Sequence, residues 1–339
     1  MTEVYSDLMM RLTEGEFLPK QREEVEILQS VITVSNLSKS YEDFKALDSV
    51  SFIVGKGQVY GYLGPNGAGK TTTIRTMLGL LNPDQGEVLI SGINPIDNPV
   101  QALQIVGYAP ELPILQPFFT GERLLDFIGR MFGLSQQVRK ERIKQLLMLV
   151  GLEEFGKRKI GNYSKGMTQR LSLAVALIND PLILIMDEPT IGMDPKATVY
   201  FRDLFKELTQ EGKTMFISSH LLDEVQKTCT HVGLINRGRI VFNGPISQVL
   251  DSFTQRWVVE VELENVTQNI IAKLQQLDYV QKVEVDENKL SIELNEKKDL
   301  RGEISTLIFR NKGVLLSLNL HKVTLEDAYL QALKGVVAG

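Results

Sequence analysis

"GYLGPNGAGKTTTIRTML", Gly61 to Leu78, sets Gly64, Gly67 and Gly69 ahead of a lysine and three threonines. Glycine holds regular structure poorly because it loses the most backbone freedom on folding, but it serves where the backbone must curl tightly around something. Gly64, Gly69, Lys70 and Thr71 satisfy G-x-x-x-x-G-K-[ST], the pattern of a loop that cradles phosphate. "GQVYGYL" before it reads as a strand ending in a turn. "TTTIRTMLGLL" after it places Ile74, Met77, Leu78 and Leu81 at helical spacing. In that context the loop N–H groups turn toward an anion, and the helix N-terminus adds partial positive charge. Lys70 then reaches the β- and γ-phosphates of a nucleotide, and the Thr71 hydroxyl binds Mg²⁺. The bland alternative is a glycine-rich turn at a strand–helix junction, and the agreement of both flanks weighs against it.

A second half of the site stands far along the chain. "LILIMDEPT" puts Asp187 and Glu188 at the end of an apolar strand. In parallel sheets, ligands sit beyond the carboxyl ends of the strands. One acid there can bind Mg²⁺ and the other can orient or deprotonate an attacking water. Upstream, "YSKGMTQRLSLAVALIND" opens a helix with Ser164 and Gly166 in its first turn, where a hydroxyl and N–H donors can meet an anion. Alone, that start reads equally well as an ordinary helix cap.

Composition bounds the rest. With 339 residues the chain is long enough for two domains, and 43% hydrophobic residues support a packed core. A net charge of −5 gives no basic footprint and argues against nucleic acid as the main partner. Cys229 is the only cysteine, so no intrachain disulfide forms and a reducing compartment fits. No apolar run approaches the ~20 residues of a membrane helix, and "MTEVYSDLMMRL" lacks the apolar core of a signal peptide. The expectation is a soluble intracellular protein or the soluble subunit of a larger assembly.

Along the chain, residues 1–30 hold seven acids and three bases and read as a loosely docked extension, with Val4, Leu8 and Leu12 one possible helical stripe. "VITVSN", "VSFIVG", "QVYGYL" and "EVLISG" read as strands. Residues 121–150 and 164–179 read as helices, and "KTMFISS" as a further strand after a helix ending at Gly212. Strands alternating with helices imply an α/β fold with a mostly parallel sheet covered on both faces. From Trp257 the order becomes βαββαβ, with a hairpin turning at Asp286–Lys289, which suggests a small ferredoxin-like unit. A last helix starts at "TLEDAYLQALKG", with Thr324 and Asp327 spaced like a capping box.

From Val31 to Leu250 these motifs, in this order, resemble the ATP-binding subunit of an ABC transporter. "GPNGAGKTT" resembles Walker A, "YSKGM" the signature motif and "LILIMDEP" Walker B. "IGMDP", Ile191 to Pro195, resembles the D-loop, and His220 in "ISSHLLDE" the switch histidine. Tyr41 resembles the aromatic residue that stacks on adenine. The resemblance implies a P-loop NTPase cassette over 31–250, with an antiparallel β subdomain and a helical subdomain at about 112–180. A small accessory domain of α+β type then covers 251–339. It implies ATP and Mg²⁺ as ligands. ATP would be held by Tyr41, Gly64, Pro65, Asn66, Gly67, Ala68, Gly69, Lys70, Thr71 and Thr72, and by Ser164, Gly166 and Asp194. Thr71, Glu111 and Asp187 would hold the metal, Glu188 would act as general base, and His220 would contact the γ-phosphate.

Two positions depart from the family pattern. After the serine of the signature the family has Gly-Gly-Gln, whereas this chain has Lys165, Gly166 and Met167. "VGYAPE" puts Glu111 where a glutamine is usual. Both departures, with the C-terminal "VTLEDAYLQALKG", resemble the export and drug-resistance branch. The resemblance implies a head-to-tail dimer with a second cassette, taken as an identical copy. It also implies a separate transmembrane permease and a place on the cytoplasmic face of the membrane. Leu112 to Phe119, "LPILQPFF", is either the docking surface for that permease or a core-facing loop. The rival class is a soluble ATPase of translation or DNA repair. Translation types carry two cassettes in one chain, and repair types insert a long coiled coil for which the Lys70–Ser164 stretch is too short. A small-molecule kinase is remoter, since it has no use for the signature helix.

Overall fold

The computed structural model describes residues 30–321 apart from 43, 192, 194, 254–256, 296 and 297, together with 325, 326 and 329. The expected N-terminal stripe and the capping box at Thr324 and Asp327 lie outside the described residues. Two compact units divide between Gly244 and Pro245.

The first unit begins with β1 (Ser30–Tyr41) and β2 (Phe44–Gly55), an antiparallel pair rich in β-branched and aromatic residues. Then come β3 (Val59–Leu63), α1 (Lys70–Met77), β4 (Gln85–Ile90), α2 (Pro99–Leu103) and β5 (Val106–Ala109). Strands β2, β1 and β4 form a three-stranded antiparallel sheet. Helices α3 (Gly121–Met131), α4 (Gln136–Leu149) and α5 (Lys165–Leu177) follow, and then β6 (Ile183–Asp187), α6 (Pro195–Gln210), β7 (Thr214–Ser219), α7 (Leu222–Thr228), β8 (His231–Asn236) and β9 (Arg239–Pro245). A six-stranded sheet runs β5-β6-β7-β3-β8-β9, parallel from β5 through β8. Strands β3, β6 and β7 are buried along their whole length. That burial explains the unbroken apolar stretches Ile183–Met186 and Met215–Ile217, which do not alternate with polar residues.

One expectation needs correcting. Residues 121–150 are two helices, not one. Helix α3 gives way at Phe132 and Gly133, where Gly133 adopts φ 73°. Ser135 then caps α4, its hydroxyl accepting from Val138 N at 3.4 Å. Positive φ at a glycine followed by a serine cap is a stop–start signal inside one apolar pattern. Strands β8 and β9 occupy a stretch to which the sequence reading assigns nothing. They turn at Arg237 and Gly238, both with positive φ, as a tight hairpin requires.

An aromatic stack joins the antiparallel sheet to the parallel one. Phe52 of β2 lies 5.3 Å from the rings of Tyr60 and Tyr62 on β3 and 5.7 Å from Phe216 on β7. All four rings are buried. Tyr60 donates to Asn243 Oδ1 at 2.7 Å, and the Tyr62 hydroxyl meets Thr73 Oγ1 of α1 at 3.2 Å, so neither buried phenol is left unpaired.

The second unit contains α8 (Ile246–Phe253), β10 (Trp257–Leu263), α9 (Gln268–Gln275), β11 (Val280–Asp286), β12 (Lys289–Leu294), α10 (Arg301–Arg310) and β13 (Leu315–His321). Its antiparallel sheet runs β11-β12-β10-β13, the order of a ferredoxin-like βαββαβ unit. Val259, Val261 and Leu263 are buried with Ile270, Leu274, Ile304 and Ile308 of α9 and α10, while Glu260 on the opposite face is exposed.

Phe216→Ala removes the ring shared by both sheets and leaves a cavity. Chemical denaturation should show the transition of the first unit destabilised by about 3–5 kcal/mol.

Candidate functional site

The parallel register brings the two halves of the site together. Leu63 pairs with Ser219 and Asp187 with Ser218, so β3, β7 and β6 end level with one another. The glycine loop leaves β3 at that edge, and Gly64 N donates to Ser219 O at 3.3 Å. A Cβ on Gly64 would stand 2.2 Å from the carbonyl oxygen of Ile235, so no other residue fits there. Gly67 and Gly69 have φ of 80° and 112°, in the left-handed region that favours glycine, and Gly69 is the residue that starts α1.

Lys70, buried at the first position of α1, folds back over the loop. Its Nζ donates to Gly64 O at 2.7 Å and lies 3.4 Å from Glu188 Oε1. Both charged side chains are only 7% exposed, so each is the other's counter-charge in a poorly solvated place. Glu188 Oε2 meets His220 Nδ1 at 2.9 Å. Asp187 accepts from Thr71 Oγ1 at 3.3 Å and from the Ser218 hydroxyl. Ser218 Oγ in turn accepts from Glu188 N at 3.1 Å.

Successive strand residues point to opposite faces. Asp187 and Glu188 nevertheless line one cleft, and Glu188 has φ 48°. The left-handed turn breaks the alternation and brings the second carboxylate round beside the first. Such a conformation costs on the order of 1 kcal/mol or more in a non-glycine residue, and strain of this kind collects at functional sites.

The cleft holds about 320 Å³ and is lined by Tyr41, Pro65, Asn66, Gly67, Gly69, Lys70, Thr71, Thr72, Glu111, Asp187, Glu188 and His220 among the expected residues. Gly64 and Ala68 lie buried beneath the loop rather than along the cleft. Ser164 and Gly166 are not among the lining residues. Ser164 is exposed at the start of α5, where its hydroxyl accepts from Met167 N at 3.2 Å. Asp194 lies outside the described residues. In the 112–119 segment the side chains divide between solvent and core. Leu112, Ile114 and Phe118 are exposed, whereas Leu115 and Phe119 pack on the core.

Two contributors escaped the sequence reading. Phe44 faces Tyr41 across the β1–β2 turn and lines the cleft beside it, 58% exposed. A second aromatic three residues after Tyr41 was the available signal. Ser218 joins the two acids through hydrogen bonds, which no local pattern in "ISSH" declares.

Negative charge dominates this end of the sheet. Burial above all, then the carboxylate of Asp187 and more weakly that of Glu111, push the Tyr108 phenol up to about 12 against the opposing charge of Arg75. Thr71, Glu111 and Asp187 offer hard oxygen donors of the kind Mg²⁺ takes, and the buried Asp187 carboxylate is already oriented by two hydroxyls. The set fits that ion.

The chain is similar to known proteins in sequence and in fold. A family pattern described as "ABC transporter" matches residues 47–191. The chain is 38% identical over 234 residues to the Nod factor export ATP-binding protein I of Cupriavidus metallidurans, covering 69% of this chain and 77% of that one. It is 32% identical over 313 residues to the bacitracin transport ATP-binding protein of Bacillus licheniformis, covering 92% of this chain and all of the other. A solved structure described as a dimeric bacterial ABC transporter cassette superposes with a TM-score of 0.59 at 26% identity, covering 63% of this chain and 98% of that chain.

Lys70→Ala removes the buried cation that faces the loop. ATP added to the wild type should raise its melting temperature, because a ligand bound only by the native state stabilises it. The variant should fold and lose that rise. A full ATP-dependent shift in Lys70→Ala would refute the assignment of the loop.

Proposed function

We propose a mechanism on a plain premise: the chain belongs to the ATP-binding subunits of ABC transporters, ATPases whose hydrolysis is coupled to transport. The observation that carries the mechanism is the left-handed Glu188, which places a second carboxylate beside Asp187 in the cleft.

The loop N–H groups and Lys70 hold the β- and γ-phosphates, and adenine stacks on Tyr41 with Phe44 beside it. Thr71, Glu111 and Asp187 would hold Mg²⁺, which when bound would offset phosphate charge. Lys70 and His220 each meet one oxygen of Glu188. Incoming phosphates compete for Lys70 and release Oε1. Glu188 then takes a proton from a water whose oxygen attacks Pγ, and the bond from Pγ to the bridging oxygen of ADP breaks. His220 keeps the Glu188 carboxylate aimed and reaches the γ-phosphate.

Ser164 and Gly166 stand apart from the cleft of their own chain. Two copies packed head to tail supply them to each other's nucleotide, a reading supported by the related dimeric cassette. Closure on ATP and opening after hydrolysis then drive a separate permease. Among the described residues no helix is long and apolar enough to cross a membrane. The subunit works at the cytoplasmic face of the membrane, and in export, the direction that the name of its Nod factor export relative carries. Exposed Leu112, Ile114 and Phe118 are the contact offered to the permease. The sequence expectation ends the cassette at residue 250, whereas the compact units divide between Gly244 and Pro245, so α8 goes with the C-terminal unit, an accessory to the cassette.

Glu188→Gln keeps shape and hydrogen-bonding reach but removes the base. ATP hydrolysis should fall by roughly 10²–10⁴-fold while ATP binding persists. In size-exclusion chromatography, ATP without Mg²⁺ should convert this variant to a dimer and ADP should leave it a monomer. A Glu188→Gln protein that hydrolyses ATP at the wild-type rate would remove Glu188 from the mechanism.

A further inference from the structure

Strands β6 and β7 each lead from the sheet edge of the site into a helix. Glu188 stands between β6 and α6, and His220 between β7 and α7. His220 Nδ1 meets Glu188 Oε2 at 2.9 Å, so the place of its ring depends on how α7 is seated. Helix α7 is seven residues long, and its cap residue Leu221 offers no side-chain hydrogen bond. A helix much shorter than ~12 residues is marginal by itself and takes its position from tertiary contacts.

One such contact is apolar. Val225 of α7 is buried against Gly61 of β3, where a Cβ would stand 2.5 Å from the valine side chain and 3.1 Å from Cys229 Sγ. Apolar burial sets how close α7 lies to the sheet, but it has no direction. The directional contact comes from α6. Arg202 Nη2 donates to Glu224 Oε2 at 3.2 Å and to Oε1 at 3.5 Å. The two side chains are 21% and 24% exposed, so their attraction is screened less than that of a pair in open water. Arg202 is firmly based, because Phe201 and Phe205 on either side of it are buried with their rings edge to face at 5.7 Å. Its Nε is buried and has no hydrogen-bond partner among the described residues. The space beside the pair, lined in part by Thr190, Ser219 and Glu224, is about 20 Å³. That is room for no more than a water, which makes the pair a link between helices rather than a ligand site.

We infer that Arg202 is a positioning residue for hydrolysis: through Glu224 it orients α7, and thereby sets His220 against Glu188. This rests on the roles of Glu188 and His220 proposed above. The helix that follows the general base thus fixes the helix that follows the histidine, and the two groups keep their distance because their supports are tied together.

The test combines steady-state ATP hydrolysis with NMR of the full chain labelled at its three histidines. In Arg202→Ala and in Glu224→Gln, kcat should fall roughly 10- to 100-fold, the scale of loss when a catalytic group is displaced by about 1 Å. KM for ATP should hold, since the phosphate loop and Tyr41 are untouched. Joining the two substitutions should cost no more than either alone, because one tether is broken once. The His220 signal, identified by its loss in His220→Ala, should move when Glu188→Gln turns the carboxylate it meets into an amide. Adding Arg202→Ala or Glu224→Gln should abolish that response. A pair that only stabilises the fold would lower the melting temperature and leave the response intact. Glu224→Gln keeps the shape of the side chain and serves where Arg202→Ala does not fold. Wild-type kcat in the single variants, or an unaltered His220 response, would overturn the inference and leave the roles of Glu188 and His220 standing. A His220 signal that ignores Glu188→Gln in the otherwise wild-type chain would overturn both.

Discussion

The site depends on the level ending of three parallel strands. Leu63 opposite Ser219 and Asp187 opposite Ser218 put the start of the glycine loop, the acidic pair and the serine that links them at one sheet edge. A shift of one residue in β6 would send Asp187 to the other face, because side chains alternate along a strand. Burial of β3, β6 and β7 holds that register, and the stack of Phe52, Tyr60, Tyr62 and Phe216 clamps the antiparallel sheet onto it.

On that frame the chemistry is a competition for few charges. Lys70 is shared between the carbonyl of Gly64 and the carboxylate of Glu188, and Glu188 between Lys70 and His220. Such buried groups tolerate little imbalance, since an unpaired charge away from water is costly. An arriving phosphate therefore changes every partner in the chain of contacts. The backbone contributes too, because the left-handed Glu188 is what allows two adjacent acids to serve one cleft.

The glycine loop was readable because its geometry is local. A strand, positive-φ glycines and a helix N-terminus follow from a dozen consecutive residues, and the structure places Gly67, Gly69, Lys70 and Thr71 along the cleft. The βαββαβ order of the second unit was readable for a similar reason, since the alternation of Val259, Glu260 and Val261 names the buried face directly. The break at Gly133 was missed because apolar spacing continues across it, and spacing reports burial rather than helix continuity.

Residue types and short spacings were enough to establish the phosphate loop and the acidic strand end, because each is built from neighbours in the chain, and the order of the motifs carried the resemblance to a nucleotide-hydrolysing cassette. Tertiary structure alone decided which distant residues meet. Ser218 reaches Asp187 from a different strand, and Phe44 joins Tyr41 across a turn. Ser164 and Gly166 remain outside the cleft of their own chain. The meeting of Ser218 with Asp187 comes from strand register, which depends on contacts far apart in sequence and leaves no mark in a local pattern, whereas the Tyr41–Phe44 spacing was visible but carried no meaning until the turn was known.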